Sequence, residues 1–262
     1  MYLTLTAKSA SLMRAVTVHV LLPYHDGYPD MPAPYPTLYF LPGFSSNAEE
    51  IMFALPMRQM SALYGTAIVI PDGENSFYAD HPERAQNYAT FVSQELPEIT
   101  RHLLPCLSSD PAMTYIGGIS MGGYGALIHG LNHPDRFSRM LLFSPAAEAD
   151  LLLTTPPGTA GAVPAELMDT LLYGKAVYDA SPALNPLLAA DQCRTSGTVP
   201  PIWMCCGEED TLVGPACEHF SAYLTGLGIA HDFVRGHGGH DLMYWDEHLE
   251  EGFRFLRGAP RF

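Results

Sequence analysis

Basic residues are scarce in this chain. Only 13 Lys plus Arg stand against 28 Asp plus Glu in 262 residues, a formal net charge of −15. Nucleic acids and anionic membrane surfaces are bound through basic patches, so this balance argues against both as partners. It also disfavours strongly anionic substrates. No apolar run approaches the roughly 18 residues that cross a bilayer. The opening stretch MYLTLTAKSASLMRAVTVHVLLP has no basic start followed by a continuous apolar run, as a signal peptide would. Cysteines are few and odd in number, five without a framework spacing. Cys205 and Cys206 are adjacent within an apolar run, where buried reduced thiols are expected. These absences fit a cytoplasmic protein, and they leave a homo-oligomer open.

What is present is a rhythm. Residues 15–23 (AVTVHVLLP) alternate and are β-branched, as a strand does. Short apolar runs stopped by turn residues follow at 35–43, 65–73, 112–120, 139–146 and 201–210. Such near-continuous apolar strands suit a parallel sheet covered on both faces. Helical patterns lie between them at 83–104, 122–137, 217–228 and 243–256. The alternation predicts one α/β domain over 1–262, with a mostly parallel central sheet and helices on both faces. Residues 147–190 break the rhythm with several Pro, Gly and Ala residues and two short helical pieces. They read as a small cap-like insertion over the edge of the site.

The stretch GGISMGG, residues 117–123, holds one serine among glycines. Alone, G-x-S-x-G also describes a flexible loop. Here Ser120 ends a predicted strand, MTYIGGIS, and precedes a predicted helix, GGYGALIHGL. That is the setting of a nucleophile held on a strained turn. Side chains two residues away would collide with the neighbouring strand and helix, and Gly118 and Gly122 have none. Gly123 and Gly125 let the helix approach the sheet. The helix N-terminus directs N–H groups and partial positive charge at whatever forms beside Ser120.

A serine nucleophile needs a base, and the base needs an orienting acid; in this arrangement the order is Ser, acid, His. Downstream, WMCCGEEDTLV is an apolar strand ending in Glu208, Glu209 and Asp210. Asp210 sits furthest past the strand, where the chain turns over the sheet edge. Further on, VRGHGGHDLMYW carries His237 and His240 in a glycine-rich loop before a helix. The start of that helix can fix His240. H-x-x-H beside an acid also describes a metal cluster, but a glycine loop provides no rigid scaffold and no third ligand at a set distance. No metal and no cofactor are therefore expected.

GISMGGYGAL, CGEEDTLV and GGHDLMYWDEHL resemble the "Putative esterase" family of the α/β-hydrolases, which includes tributyrin esterases and S-formylglutathione hydrolase (esterase D). SLMRAVTVHVLLP and PDGENSFYAD resemble it too, so the likeness runs over nearly the whole chain, with 147–190 matched least. The resemblance implies an α/β-hydrolase fold and a triad at Ser120, Asp210 and His240. It implies an oxyanion hole from the amide of Met121 and one from the loop after an earlier strand. There the family usually reads H-G-x; this chain reads LPGFSS, so Pro42 replaces the histidine, Gly43 is kept and Phe44 supplies the N–H. NSFY at 75–78 is typical of the tributyrin esterase branch, and the GLTC signature of the glutathione branch is absent from Gly43 to Ser46.

The implied function is a serine carboxylesterase on short acyl esters, acetyl to butyryl, with acylated sugars among the open substrates. A thioesterase of the S-formylglutathione hydrolase type, or an acyltransferase, is the alternative, because the same triad serves any acyl transfer. A non-catalytic binding protein on the same scaffold would usually lack a triad member. Phe44, Phe77, Tyr78, Tyr173, Tyr178 and Trp245 lie on segments expected to meet Ser120. The resemblance suggests that the loop with Phe77 and Tyr78 and the insertion with Tyr173 and Tyr178 wall the substrate pocket.

Overall fold

The computed structural model describes residues 1–24, 32–154 and 163–258. Ten strands are β1 (Tyr2–Ser9), β2 (Arg14–Leu21), β3 (Thr37–Leu41), β4 (Ala67–Pro71), β5 (Asp80–His81), β6 (Gln86–Asn87), β7 (Thr114–Ile119), β8 (Arg139–Phe143), β9 (Ile202–Gly207) and β10 (His231–Gly236). Ten α-helices accompany them: α1 (Ala48–Ala54), α2 (Met57–Tyr64), α3 (Tyr88–Thr90), α4 (Leu96–Leu103), α5 (Met121–Asn132), α6 (Ala165–Leu171), α7 (Lys175–Ala180), α8 (Pro186–Ser196), α9 (Gly214–Gly226) and α10 (Leu242–Arg257). A π-helical turn, Phe91–Glu95, joins α3 to α4, so the predicted helix at 83–104 begins later than its pattern suggests. None of the described helices is long and apolar enough to cross a membrane.

Eight strands form one sheet in the order β1-β2-β4-β3-β7-β8-β9-β10. β2 pairs antiparallel with β1 and β4, and the remaining pairs are parallel. The predicted mostly parallel sheet is therefore present. β3 shows why its strands read as unbroken apolar runs. Leu38 and Phe40 join one core with α1, α2 and α10, while Tyr39 and Leu41 join the other, with α4, α5, α8 and α9. All five residues of β3 are buried, so neither face can carry a polar side chain without a partner. Two outer strands went unpredicted. β1 alternates between intermediate and exposed positions, and β10 (HDFVRG) is polar and only half-buried.

The C-terminal ends of β3, β4, β7, β8 and β9 open onto one edge. That is where ligands bind in parallel α/β sheets. The described part of 147–190 packs against α5 and the segment that carries His81. Tyr178 is buried, the Tyr124 hydroxyl donates to Leu184 O at 2.5 Å, and His81 Nε2 lies 3.2 Å from Leu171 O. Residues 155–162 of the predicted insertion lie outside the described residues.

Candidate active site

The turn from β7 into α5 is as tight as the glycines suggest. A Cβ on Gly122 would run into the Leu41 carbonyl oxygen, and one on Gly118 would meet the Gly122 carbonyl. Between them Ser120 has φ +55° and ψ −114°, a conformation L-residues avoid. Three backbone bonds hold it there. Ser120 N–H donates to Phe143 O at 3.0 Å, and its carbonyl accepts from Tyr124 at 3.0 Å and Ala146 at 3.1 Å. Serine at a helix N-cap ordinarily turns its hydroxyl onto the first amides. Ser120 makes no such bond. Its Oγ lies 3.0 Å from His240 Nε2 instead.

His240 sits between β10 and α10, and its neighbour Asp241 fixes the start of that helix. The Asp241 carboxylate accepts from Met243 N at 3.0 Å and Tyr244 N at 3.1 Å. His240 Nδ1 lies 2.7 Å from Asp210 Oδ2. The other Asp210 oxygen accepts from Leu212 N at 3.1 Å and Val213 N at 3.0 Å. Burial by itself pushes the Asp210 carboxyl up. The hydrogen bond and charge of His240, the Val213 amide and the Ser144 hydroxyl outweigh burial and hold it below its ordinary value. Asp210 is thus an ionised acceptor, and the tautomer of His240 with its proton on Nδ1 leaves Nε2 free to accept from Ser120.

The rival residues point elsewhere. His237 Nδ1 pairs with Glu209 Oε1 at 2.8 Å, with the His237 side chain 93% exposed. The Glu209 carboxylate raises the His237 pKa. The two histidines of H-x-x-H thus engage different carboxylates, and no group of three metal-ligating side chains occurs among the described residues.

A cavity of about 340 Å³ opens over Ser120 and His240. Phe44, Ile119, Leu212, Leu242 and Trp245 supply most of its apolar wall. Gly43 brings the Phe44 loop against the serine: a Cβ placed on it would lie 3.6 Å from Ser120 Cβ. Met121 is the first residue of α5, so its N–H has no acceptor within the helix. Among the described residues the Phe44 N–H has no acceptor either.

Of the six expected pocket residues, Phe44 and Trp245 line this cavity and four do not. Phe77 and Tyr78 are each 1% exposed. They lie beneath the loop, where the Tyr78 hydroxyl donates to Pro42 O at 2.8 Å and the Phe77 ring packs against Phe44 and Tyr124. Tyr178 is buried in the core shared with α5. Tyr173 stacks on His81 and donates to Asp80 O, away from the cavity. Large aromatics near a site are drawn into the core by their apolar area, and the buried Tyr78 hydroxyl is tolerated because the Pro42 carbonyl accepts it.

Ser144 was not visible in the sequence. It follows β8, between the strands that carry Ser120 and Asp210, and is fully buried with φ +41°. Its N–H donates to Cys205 O at 2.7 Å, and its Oγ accepts from Trp245 Nε1 at 3.0 Å. Trp245 in turn stands perpendicular to the His240 ring at 5.2 Å. Only a strand-ending serine before a proline hinted at it.

A family profile described as "Putative esterase" matches residues 9–256. An "Acetyl esterase" of Caldicellulosiruptor saccharolyticus is 30% identical over 229 residues, covering 84% of this chain and 82% of that protein. An "S-formylglutathione hydrolase" of Paracoccus denitrificans is 30% identical over 133 residues, 43% of this chain and 47% of its own length. Among solved structures, the apoenzyme of a Staphylococcus aureus S-formylglutathione hydrolase superposes with a TM-score of 0.82 at 23% identity, over 98% of both chains. A fluorophosphonate-binding serine hydrolase of the same organism gives 0.79 at 22% identity, again over 98% of both.

Proposed function

The chain belongs to the "Putative esterase" family and is a carboxylic ester hydrolase of the α/β-hydrolase fold, and we propose that it is a serine esterase acting on short acyl esters through Ser120, His240 and Asp210. One observation carries this reading. An unbroken line of hydrogen bonds runs from Asp210 to His240 at 2.7 Å and on to the hydroxyl of a strained serine at 3.0 Å.

His240 Nε2 takes the Ser120 proton as Oγ attacks the ester carbonyl. The oxyanion forms beside the amides of Met121 and Phe44, each donor lowering the barrier by on the order of 3–4 kcal/mol. His240 then returns its proton to the leaving alcohol. Asp210 stabilises the imidazolium and fixes the ring. Water enters, loses its proton to His240 and releases the acid from Ser120. The apolar wall of the cavity takes the acyl group.

A fluorophosphonate probe tests this. One adduct per chain, located on Ser120, is expected, with both labelling and ester hydrolysis lost in Ser120→Ala. Hydrolysis that persists in Ser120→Ala excludes the mechanism. The thioesterase reading draws support from the relative named as an S-formylglutathione hydrolase. Rates on matched oxygen and sulfur esters separate it from the ester reading.

A further inference from the structure

A second cleft, of about 420 Å³, lies beside the catalytic cavity and shares Ser45 and Ser46 with it. Its floor is built by backbone-to-side-chain bonds. Asn75 Oδ1 accepts from Ser45 N at 2.7 Å, and Asp72 Oδ1 accepts from Ala48 N at 3.0 Å. Its far wall is Arg14–Thr17 of β2. β4 ends at Pro71, opposite Val18, so this part of β2 presents a strand edge that β4 does not cover.

What lines the cleft is suited to hydroxyl groups. Among the described residues, the hydroxyls of Ser45 and Ser46, the NH₂ of Asn75 and the second oxygen of Asp72 have no protein partner. Donors and acceptors are therefore mixed, as polyhydroxy ligands require. The lining's cation is spent: Arg14 pairs with Glu74 at 2.5 Å and also donates to the Tyr88 hydroxyl. Asp72 leaves the cleft with net negative charge. Together with the −15 of the whole chain, that repels a leaving group bearing carboxylates, such as the glutathione thiol, and accepts a neutral one.

We propose that this cleft binds the distal part of the leaving alcohol, and that the alcohol is a neutral, polyhydroxylated one of at least two sugar rings. The inference rests on the esterase reading above. The length follows from the sheet order: β7, which leads into Ser120, is separated from β4 by β3 and from β2 by β3 and β4. At roughly 4.8 Å per strand, the cleft between the end of β4 and β2 lies about 10–14 Å from the serine. One ring beside Ser120 falls short of it, and a second ring reaches it.

The test compares mono-O-acetylated cellobiose, mono-O-acetylated glucose, S-formylglutathione and 4-nitrophenyl acetate. The expected result is a kcat/KM at least five-fold higher for acetylated cellobiose than for acetylated glucose, about the factor of one ordinary hydrogen bond. Two variants address the cleft without touching the catalytic cavity's lining: Asp72→Asn, which keeps the oxygen that accepts from Ala48, and Thr17→Tyr, which fills the space. Each should remove that preference while 4-nitrophenyl acetate stays within about two-fold of the unmodified enzyme. If Thr17→Tyr does not fold, Asp72→Asn alone carries the comparison. Equal rates on the two acetylated sugars, with 4-nitrophenyl acetate turned over, would overturn the subsite and leave the esterase reading standing. Preferential turnover of S-formylglutathione that falls in both variants would overturn the neutral-alcohol assignment. No turnover of 4-nitrophenyl acetate would instead defeat the esterase reading itself.

Discussion

At the scale of single residues, the chemistry turns on which carboxylate and which imidazole reach the serine. Three acids end β9, and their sequence offers no physical ground beyond position for choosing among them. Geometry separates them: Asp210 accepts two backbone amides and His240, whereas Glu209 turns to the exposed His237. Asp210→Asn and His240→Ala should each lower kcat by on the order of 10³-fold or more. Glu209→Gln and His237→Ala should stay within a few-fold, and steady-state kinetics on 4-nitrophenyl acetate checks all four. Ser144 adds a further prediction. Glycine tolerates its positive φ, so Ser144→Gly relieves backbone strain while removing the hydroxyl that joins Trp245 to Asp210. We expect kcat to fall about ten-fold with KM little changed, and thermal stability to hold. Unchanged kcat in Ser144→Gly would reduce Ser144 to a packing residue.

At the scale of elements, β7 and α5 were legible because their residues obey two rules at once. The strand is buried on both faces, and the helix is buried all round, so both read as apolar runs divided by the glycine turn. β1 and β10 were not, because edge strands need only one half-buried face and can be polar. Only a third of the expected pocket was legible. Trp245 on α10 and Phe44 after β3 do line it, but Phe77, Tyr78 and Tyr178 are core residues. Sequence position places a ring near a site without saying which way it points. On the proposed reading, the wall that remains limits the acyl chain. Each acyl methylene that fits gains about 0.8 kcal/mol, and one that does not costs typically 1–3 kcal/mol. The kcat/KM for 4-nitrophenyl esters should therefore peak between acetate and butyrate and fall steeply by octanoate. Phe44→Ala and Leu242→Ala shorten side chains on that wall and keep the backbone amides. Both should move the optimum to longer acyl groups. A decanoate optimum in the unmodified enzyme would contradict the small-acyl assignment.

At the scale of the whole molecule, the sheet brings together three side chains from loops 120 and 30 residues apart, and its stability is part of their geometry. A buried histidine makes that stability depend on pH. His129 on α5 is 1% exposed, with Nε2 3.2 Å from Tyr78 O. Burial, with His133 beside it, pushes its pKa down to about 3. The folded value lies below the unfolded value of about 6.5, so the unfolded chain binds the proton more readily. This stabilising contribution is complete above about pH 6.5 and erodes as pH falls towards about 3, by roughly 1.4 kcal/mol per pH unit. Urea unfolding should show it. Between pH 7 and pH 5 this site should account for about 2 kcal/mol of lost stability. His129→Gln should shrink the loss by that amount, and an equal loss in both proteins would exclude this origin.

The central claim is that Ser120 carries the acyl group between two half-reactions. Rapid-quench mass spectrometry during turnover of 4-nitrophenyl acetate tests it most directly. The prediction is a chain heavier by one acetyl group within the first turnover, with the modification on the peptide containing Ser120. The acetyl group should persist far longer when His240 is replaced by alanine after labelling is forced at high substrate, because deacylation needs the same base. Turnover with no acylated chain in the quenched samples of either protein, or an acetyl group found on any other residue, would contradict the account.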